Sequence, residues 1–332
     1  MIEFMKPGVV QMKRRHAISA AALLVMTGSV WAQSYPNRVI RLQVPFAPGG
    51  TTDIVARVIS EPLGKALGQS VVVENKAGGG GVVGANETAK AAPDGYLLGV
   101  ATVSTTAANP AINPKIPYNP ITDFTPIINI AATPNVIAVH PSFPAHDYKG
   151  FVAELKKNPG RYSYSSSGTG GIGHLQTELW KGLAGVFITH IPYRGAGPAL
   201  QDLIGGNVDM MFDGLGSSAQ HIKGGRLKAL MVSGNKRNPA FPDVPCAAEL
   251  GLPDYTVSTW YGLWAPKGTP ADVQARILEE VKKASTGEDL KVAWANNGAD
   301  FPNMTSAQFG TFVHNEIKRW ASVVKASGAK LD

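Results

Sequence analysis

The chain has 332 residues, 44% of them hydrophobic and 17% charged, with 37 glycines and 24 prolines spread along its length. That composition excludes a disordered or low-complexity protein and supplies enough apolar material for two packed cores. The net charge of +7 does not mark a nucleic-acid binder: Lys6, Lys13, Arg14 and Arg15 against Glu3 place +3 of it in residues 1–32, leaving +4, and no basic run interleaved with aromatics follows.

The N-terminal segment reads as a secretory signal. Met12-Lys-Arg-Arg-His16 is a basic start, residues 17–30 are apolar, and Val30-Trp-Ala32 resembles an A-x-A cleavage site. The apolar stretch is too short for a membrane span and is interrupted by Ser19, Thr27 and Ser29. Met12 reads as the true start, and a periplasmic mature chain is expected to begin near Gln33.

Strands then alternate with helices. A strand over 39–44 runs through Pro45-Phe-Ala-Pro-Gly-Gly50 into a helix from about Thr52, which Pro62 is expected to kink or end. A strand over 70–74, a glycine loop at 78–81, a helix around 85–91, a turn at 93–95 and a strand over 96–102 complete a βαβαβ rhythm, the pattern of a parallel sheet covered on both faces. The rhythm restarts with a helix over 148–157, a strand over 162–166 and a helix from about Gly171. A strand over 186–193, a helix over 198–204, a strand over 208–212, a helix over 217–222 and a strand over 227–233 follow. Two such series predict two lobes with mainly parallel sheets.

The C-terminal part differs. Thr269-Pro270 reads as a cap and first helical residue ahead of the stripe Val273, Ile277, Val281. Thr305 and Gln308 form a capping box before Phe309, Val313, Ile317, Trp320 and Val324. These helices need a surface, and the first lobe has only three strands. The chain is therefore expected to cross back, with hinge crossings near 131–135 and 255–260. The expected division is 1–32 signal peptide and upstream residues, 33–132 first part of lobe 1, 133–256 lobe 2, and 257–332 remainder of lobe 1. Trp320 is expected to pack on residues 36–130 and not on the 162–233 series.

Two glycine loops carry the chemistry. Each follows a strand and opens a helix, where free N–H groups and the helix dipole favour an anion. Thr51 and Thr52 add hydroxyls to the first loop; Ser166, Ser167 and Thr169 add them to the second, and Val103-Ser-Thr-Thr106 follows the third strand in the same sense. Ligands of open α/β sheets lie beyond the carboxyl ends of strands, so these loops point to a cleft that holds a carboxylate by neutral donors. Asp53 reads as bracing the first loop, His174 as capping or packing beside the second, and Arg194 as bracing its own loop or holding a carboxylate. Asp213 reads equally as a site residue or a structural one.

Gly168-Thr-Gly170-Gly-Ile-Gly173 is also a literal G-x-G-x-x-G. Ile191-Pro-Tyr-Arg194 stands where a dinucleotide site has its acidic residue, so an NADP-dependent oxidoreductase is the alternative reading. No catalytic residue, metal or cofactor is expected. His16, His140, His146, His190, His221 and His314 lack metal-ligand spacing, no G-x-S-x-G elbow occurs, and the lone Cys246 reads as a loop packing position.

Several stretches together resemble one family: Val44-Pro-Phe-Ala-Pro-Gly-Gly-Thr-Thr-Asp53, Val73-Glu-Asn-Lys-Ala-Gly-Gly-Gly80, Ile191-Pro-Tyr-Arg-Gly-Ala-Gly-Pro-Ala199, Asp202-Leu-Ile-Gly-Gly-Asn-Val-Asp209, Pro242-Asp-Val-Pro245 and Trp260-Tyr-Gly-Leu-Trp-Ala-Pro-Lys-Gly-Thr-Pro270. Over residues 35–331 the chain is similar to the Bug family, the extracytoplasmic solute receptors of tripartite tricarboxylate transporters. The resemblance implies a type 2 periplasmic-binding-protein fold that closes on a small organic acid: a di- or tricarboxylate, an aromatic acid or an acidic amino acid. It also implies delivery to integral-membrane transporter subunits. It departs at Gly171-Ile-Gly173, where many relatives carry serines, and at Cys246, where threonine is usual. The candidate ligand set is Phe46, Ala47, Gly49, Gly50 and Thr51 in the first loop, Ser104 and Thr105 in the third, Ser166, Ser167, Thr169, Gly171, Ile172, Gly173 and His174 in the second, with Tyr193 and Asp213.

Overall fold

The computed structural model describes residues 35–327, and the signal segment lies outside the described residues. Both expected α/β series form. The first comprises β1 (Ile40–Val44), α1 (Thr51–Leu67), β2 (Val71–Asn75), α2 (Val82–Ala89) and β3 (Leu97–Thr102), followed by a π-helical turn, Ser104–Ala108, and the short α3 (Asn109–Ile112). A 16-residue strand, β4 (Phe124–Val139), leads into the second. That series comprises α4 (Tyr148–Lys157), β5 (Ser163–Ser166), α5 (Ile172–Ala184), β6 (Thr189–Pro192), α6 (Ala196–Ile204), β7 (Met210–Gly214), α7 (Leu215–Lys223) and β8 (Lys228–Val232). Then come β9 (Ser258–Pro266), α8 (Ala271–Ser285), α9 (Glu288–Asn296) and α10 (Ser306–Ser327).

Strand pairing divides the sheet. β1 pairs in parallel with β2 and β3, and β5 with β6 and β7. The antiparallel pairings all involve β4 or β9. From Phe124 to Pro134, β4 lies on β9; from Asn135 onward it lies on β7, with Asn135 opposite Gly214, and from Val136 also on β8. The strand therefore changes partner between Pro134 and Asn135, giving the order β2-β1-β3-β9-β4-β7-β5-β6. Residues 131–135, expected as one crossing, lie inside β4, and β9 takes up the other expected crossing from Ser258 onward. The run FTPIINIAATPNVIAV is almost wholly buried and shows no clean alternation, so periodicity does not expose it as a strand.

Local details follow residue chemistry. Asp147 caps α4 by accepting the Gly150 N–H at 2.7 Å. The expected capping box forms at α10: Thr305 Oγ1 accepts the Gln308 N–H at 3.2 Å, and Gln308 Oε1 accepts the Thr305 N–H at 2.8 Å. Pro62, however, does not end α1, which continues to Leu67 and stops at the left-handed Gly68. The buried stripe Val55, Ile59, Leu63 and Leu67 spans the proline and outweighs one lost amide hydrogen bond. Thr269 does not cap α8 either; its hydroxyl donates to the Pro266 carbonyl, and the helix begins after Pro270.

Cys246 is buried in the apolar cluster of the second lobe with Leu200, Leu203 and Met211. In the first lobe Phe124 stacks on Trp264, ring centres 3.6 Å apart. The last helix touches both series. α10 packs on the Ser104–Ala108 turn, α3 and β4, but also on α5 of the second lobe. Its buried Glu316 accepts the indole N–H of Trp260 in β9 at 3.0 Å and of Trp320 at 3.3 Å, which seats the helix over that returning strand.

Candidate functional site

Four helix starts meet at one narrow cavity of about 40 Å³. Gly50, Thr51 and Thr52 present α1, Ile172 and Gly173 present α5, Ala196 presents α6, and Gly214 leads into α7. Each of these helices has glycine at its N-cap: Gly50, Gly171, Gly195 and Gly214. A glycine cap leaves the first-turn N–H groups without an acceptor from its own residue, and each helix dipole places about half a positive charge there. No Lys, Arg or His lines the cavity. Its positive field comes from backbone.

The one charged group in the wall is Asp213, and it is buried. Its Oδ2 accepts the hydroxyls of Ser217 and Ser218, each at 2.6 Å. Burial pushes the carboxyl up to about 6, although the hydrogen bonds from Ser217 and Ser218 oppose the rise. The floor is formed where the two returning strands meet, with Thr259 donating to Asn135 Oδ1 at 2.9 Å. The other face of the same strands, at Pro134 and Ser258, borders an open groove of about 910 Å³. That groove is edged by Lys236, Arg237 and Lys291 and contains none of the four glycine-capped helix starts.

Half of the candidate ligand set lines the cavity: Phe46, Gly50, Thr51, Ser104, Ser167, Ile172, Gly173 and Asp213. The remainder stand behind it, and polar groups of most of them are engaged elsewhere. The Ala47 N–H donates to the Arg194 carbonyl at 3.1 Å. The Gly49 N–H donates to Asp53 Oδ2 at 3.0 Å, beside hydrogen bonds from Arg57 and Asn75. Burial pushes the Asp53 carboxyl up, but those bonds outweigh it and hold the group below its ordinary value, so Asp53 braces the loop. Thr105 pairs with Thr102, and the Tyr193 hydroxyl donates to Asp202 on α6 at 2.5 Å. The Thr169 carbonyl lies against Gly80, where a Cβ would come within 2.7 Å of it.

Ser166 and His174 belong to a ring stack behind the second loop. Tyr164, His190 and His174 stack with centres 4.7 and 4.4 Å apart, and Ser166 Oγ lies 2.6 Å from His190 Nε2. Burial, helped by His174, pushes the His190 imidazole down to about 4 and keeps it neutral. His174 Nδ1 accepts the Gly170 N–H at 3.3 Å, the Gly171 N–H donates to the Gly168 carbonyl, and the Gly168 N–H donates to Ser166. Three amides of the G-x-G-x-x-G are thereby used inside the loop, and Gly168 abuts Gly80 of the other lobe. A pyrophosphate cradle needs those amides free, so the dinucleotide reading has no site here.

Sequence reasoning missed Asn135, Gln176, Gly214, Thr259 and Tyr261 in the wall. Asn135 and Thr259 carried a usable signal, polar residues inside the two crossing segments; Gln176, one turn into α5, carried none. Among the described residues no helix is long and apolar enough to cross a membrane, and no cluster of His, Cys, Asp and Glu could hold a metal ion.

The chain is similar to known proteins over most of its length. The profile of the tripartite tricarboxylate transporter family receptor (TctC) matches residues 55–329. Protein BugT of Bordetella pertussis is 38% identical over 303 residues, covering 91% of this chain and 93% of that one. MatC of Rhodopseudomonas palustris, solved with bound malate, is 35% identical with a TM-score of 0.84, over 87% of this chain and all of that one. A second R. palustris protein, solved with adipate, is 35% identical with a TM-score of 0.86, over 90% of this chain and all of that one.

Proposed function

The chain belongs to the tripartite tricarboxylate transporter receptor family, whose members are solute-binding receptors, and from that premise we propose that its solute is a small dicarboxylate. The observation that carries the reading is the convergence of four glycine-capped helix starts on a cavity without a cation. A carboxylate seated on Gly50–Thr52 receives the N–H donors and the dipole end of α1; a second carboxylate or hydroxyl reaches the Ser167 hydroxyl and the Gly173 N–H at the start of α5 on the facing lobe. Malate and adipate in two relatives of similar fold support this class. The cavity is narrow and walled by both α/β series. A solute therefore enters while the lobes are apart and is enclosed as they turn about the strands that cross at Pro134 and Ser258. In this scheme residues 33–132 with 257–332 make one lobe and 133–256 the other.

The protein works by capture and release, without a catalytic step, in the periplasm after cleavage near Gln33, and it hands its solute to integral-membrane transporter subunits. A thermal-shift panel of malate, adipate, tricarboxylates, aromatic acids and acidic amino acids, each beside its methyl ester, tests the reading. Dicarboxylates should raise Tm and their diesters should not, because esterification removes the charge and acceptor oxygens that the N–H groups select. Equal shifts for acids and esters would refute a carboxylate-selective cleft.

A further inference from the structure

We propose that Thr51 and Ser104 are closure latches: hydroxyls of the first lobe that cap, across the cleft, two helices of the second lobe that begin on glycine. Ser217 is the third residue of α7, the position whose N–H an N-cap side chain ordinarily accepts. The cap of α7 is Gly214, which has no side chain to offer. The acceptor is Thr51 Oγ1, 2.9 Å from the Ser217 nitrogen; the same hydroxyl lies 2.8 Å from Ser217 Oγ and 3.1 Å from the Gly214 carbonyl. The fit is close, since a Cβ on Gly216 would come within 2.6 Å of the Thr51 methyl. Ser217 in turn donates to Asp213, so the relay ends on the buried carboxylate. The second latch repeats the device. Ile172 opens α5 behind Gly171, and its N–H donates to Ser104 Oγ at 2.9 Å. Thr51 and Ser104 are both buried.

Opening the cleft withdraws both caps at once and leaves two helix starts to water. Closure thus gains two capping hydrogen bonds whatever solute is held, and the closed population is set partly by these hydroxyls. A side chain that contacts solute changes the ranking of solutes; the Thr51 hydroxyl is turned to Ser217 and Gly214, and only the Thr51 backbone N–H belongs to the carboxylate seat. A latch changes the open–closed balance, so its loss weakens every solute by one common factor.

This inference rests on the two-lobe receptor reading, and the test separates the two. Thr51→Val keeps the side-chain shape and removes the hydroxyl; Thr51→Ser keeps the hydroxyl. Amide hydrogen exchange on the purified proteins should show the Ser217 N–H exchanging about 5- to 30-fold faster in Thr51→Val than in the parent, the range that loss of an N-cap gives. Thr51→Ser should match the parent, and the β3 amides of Leu98 and Val100 should be unchanged in both. Ser104→Ala should do the same to the Ile172 N–H. Titration with malate and with adipate should then show affinity lowered by the same factor for each acid. Parental exchange at Ser217 in Thr51→Val, equal acceleration in β3, or different factors for the two acids overturns the latch. If the parent binds neither acid, the dicarboxylate reading fails while the exchange arm still decides the latch.

Discussion

Gly197 faces Pro48 across the cleft so closely that a Cβ on the glycine would stand 1.9 Å from the proline carbonyl oxygen. No rotamer relieves that contact, because both partners are backbone-fixed atoms. Gly197 is also the second residue of α6, where alanine is a better helix former than glycine. Gly197→Ala should therefore leave Tm unchanged or slightly higher while lowering solute affinity at least about 100-fold, the cost expected when a sub-van der Waals contact bars the closed state. Small-angle scattering should show no contraction on adding solute. A variant that still contracts and binds normally would show that the lobes need not approach this far.

Asp213 is expected to make solute capture depend on pH. Its carboxyl is raised from 3.8 to about 6 by burial. Below about 6 it is neutral and tolerates an anion nearby; above it the charge repels one. Affinity for a dicarboxylate should fall as pH rises through about 6, and Asp213→Asn should flatten that fall. The stability sign is set by the same shift: the folded state holds the proton longer, so this contribution is present below 3.8 and is lost as pH rises through about 6. Denaturant midpoints measured across that window should decline less steeply in the Asn variant.

His190 acts in the opposite direction. Burial, with His174 beside it, takes the imidazole from 6.5 down to about 4. The unfolded chain binds the proton first, so this contribution is present above 6.5 and is lost as pH falls toward 4. His190→Gln should remove that acid sensitivity. If the parent and His190→Gln lose stability in parallel on acidification, the neutral stack of Tyr164, His190 and His174 is not what acid disrupts.

Glu316 holds α10 on the sheet through two indole donors. Glu316→Ala leaves the Trp260 and Trp320 N–H groups buried without an acceptor, at about 1–3 kcal/mol each. Unfolding stability should drop by about 3 kcal/mol, read from the urea midpoint with an unchanged slope. Glu316→Gln retains an acceptor oxygen and should lose much less.

The sequence by itself determined the alternating elements, the two lobes, the capping box at Thr305 and Gln308 and the loops that open helices, because each is written in periodicity or in residues a few positions apart. The bracing of the first loop by Asp53 belongs to the same class, since Gly49 is four residues away. Family membership was legible for the same reason, through short stretches that stay contiguous in the chain. Tertiary structure alone decided which of those loop residues reach the cavity. Ala47, Gly49 and Tyr193 sit in the right loops, yet their polar groups are taken by Arg194, Asp53 and Asp202. Asn135 and Thr259 enter the wall only because β4 exchanges one partner strand for another between Pro134 and Asn135. Thr51 caps a helix that starts more than 160 residues later, and its partner Ser217 is 166 positions away. A helix that begins on glycine signals an unmet donor. Which hydroxyl meets it depends on how the lobes come together, and no local pattern encodes that.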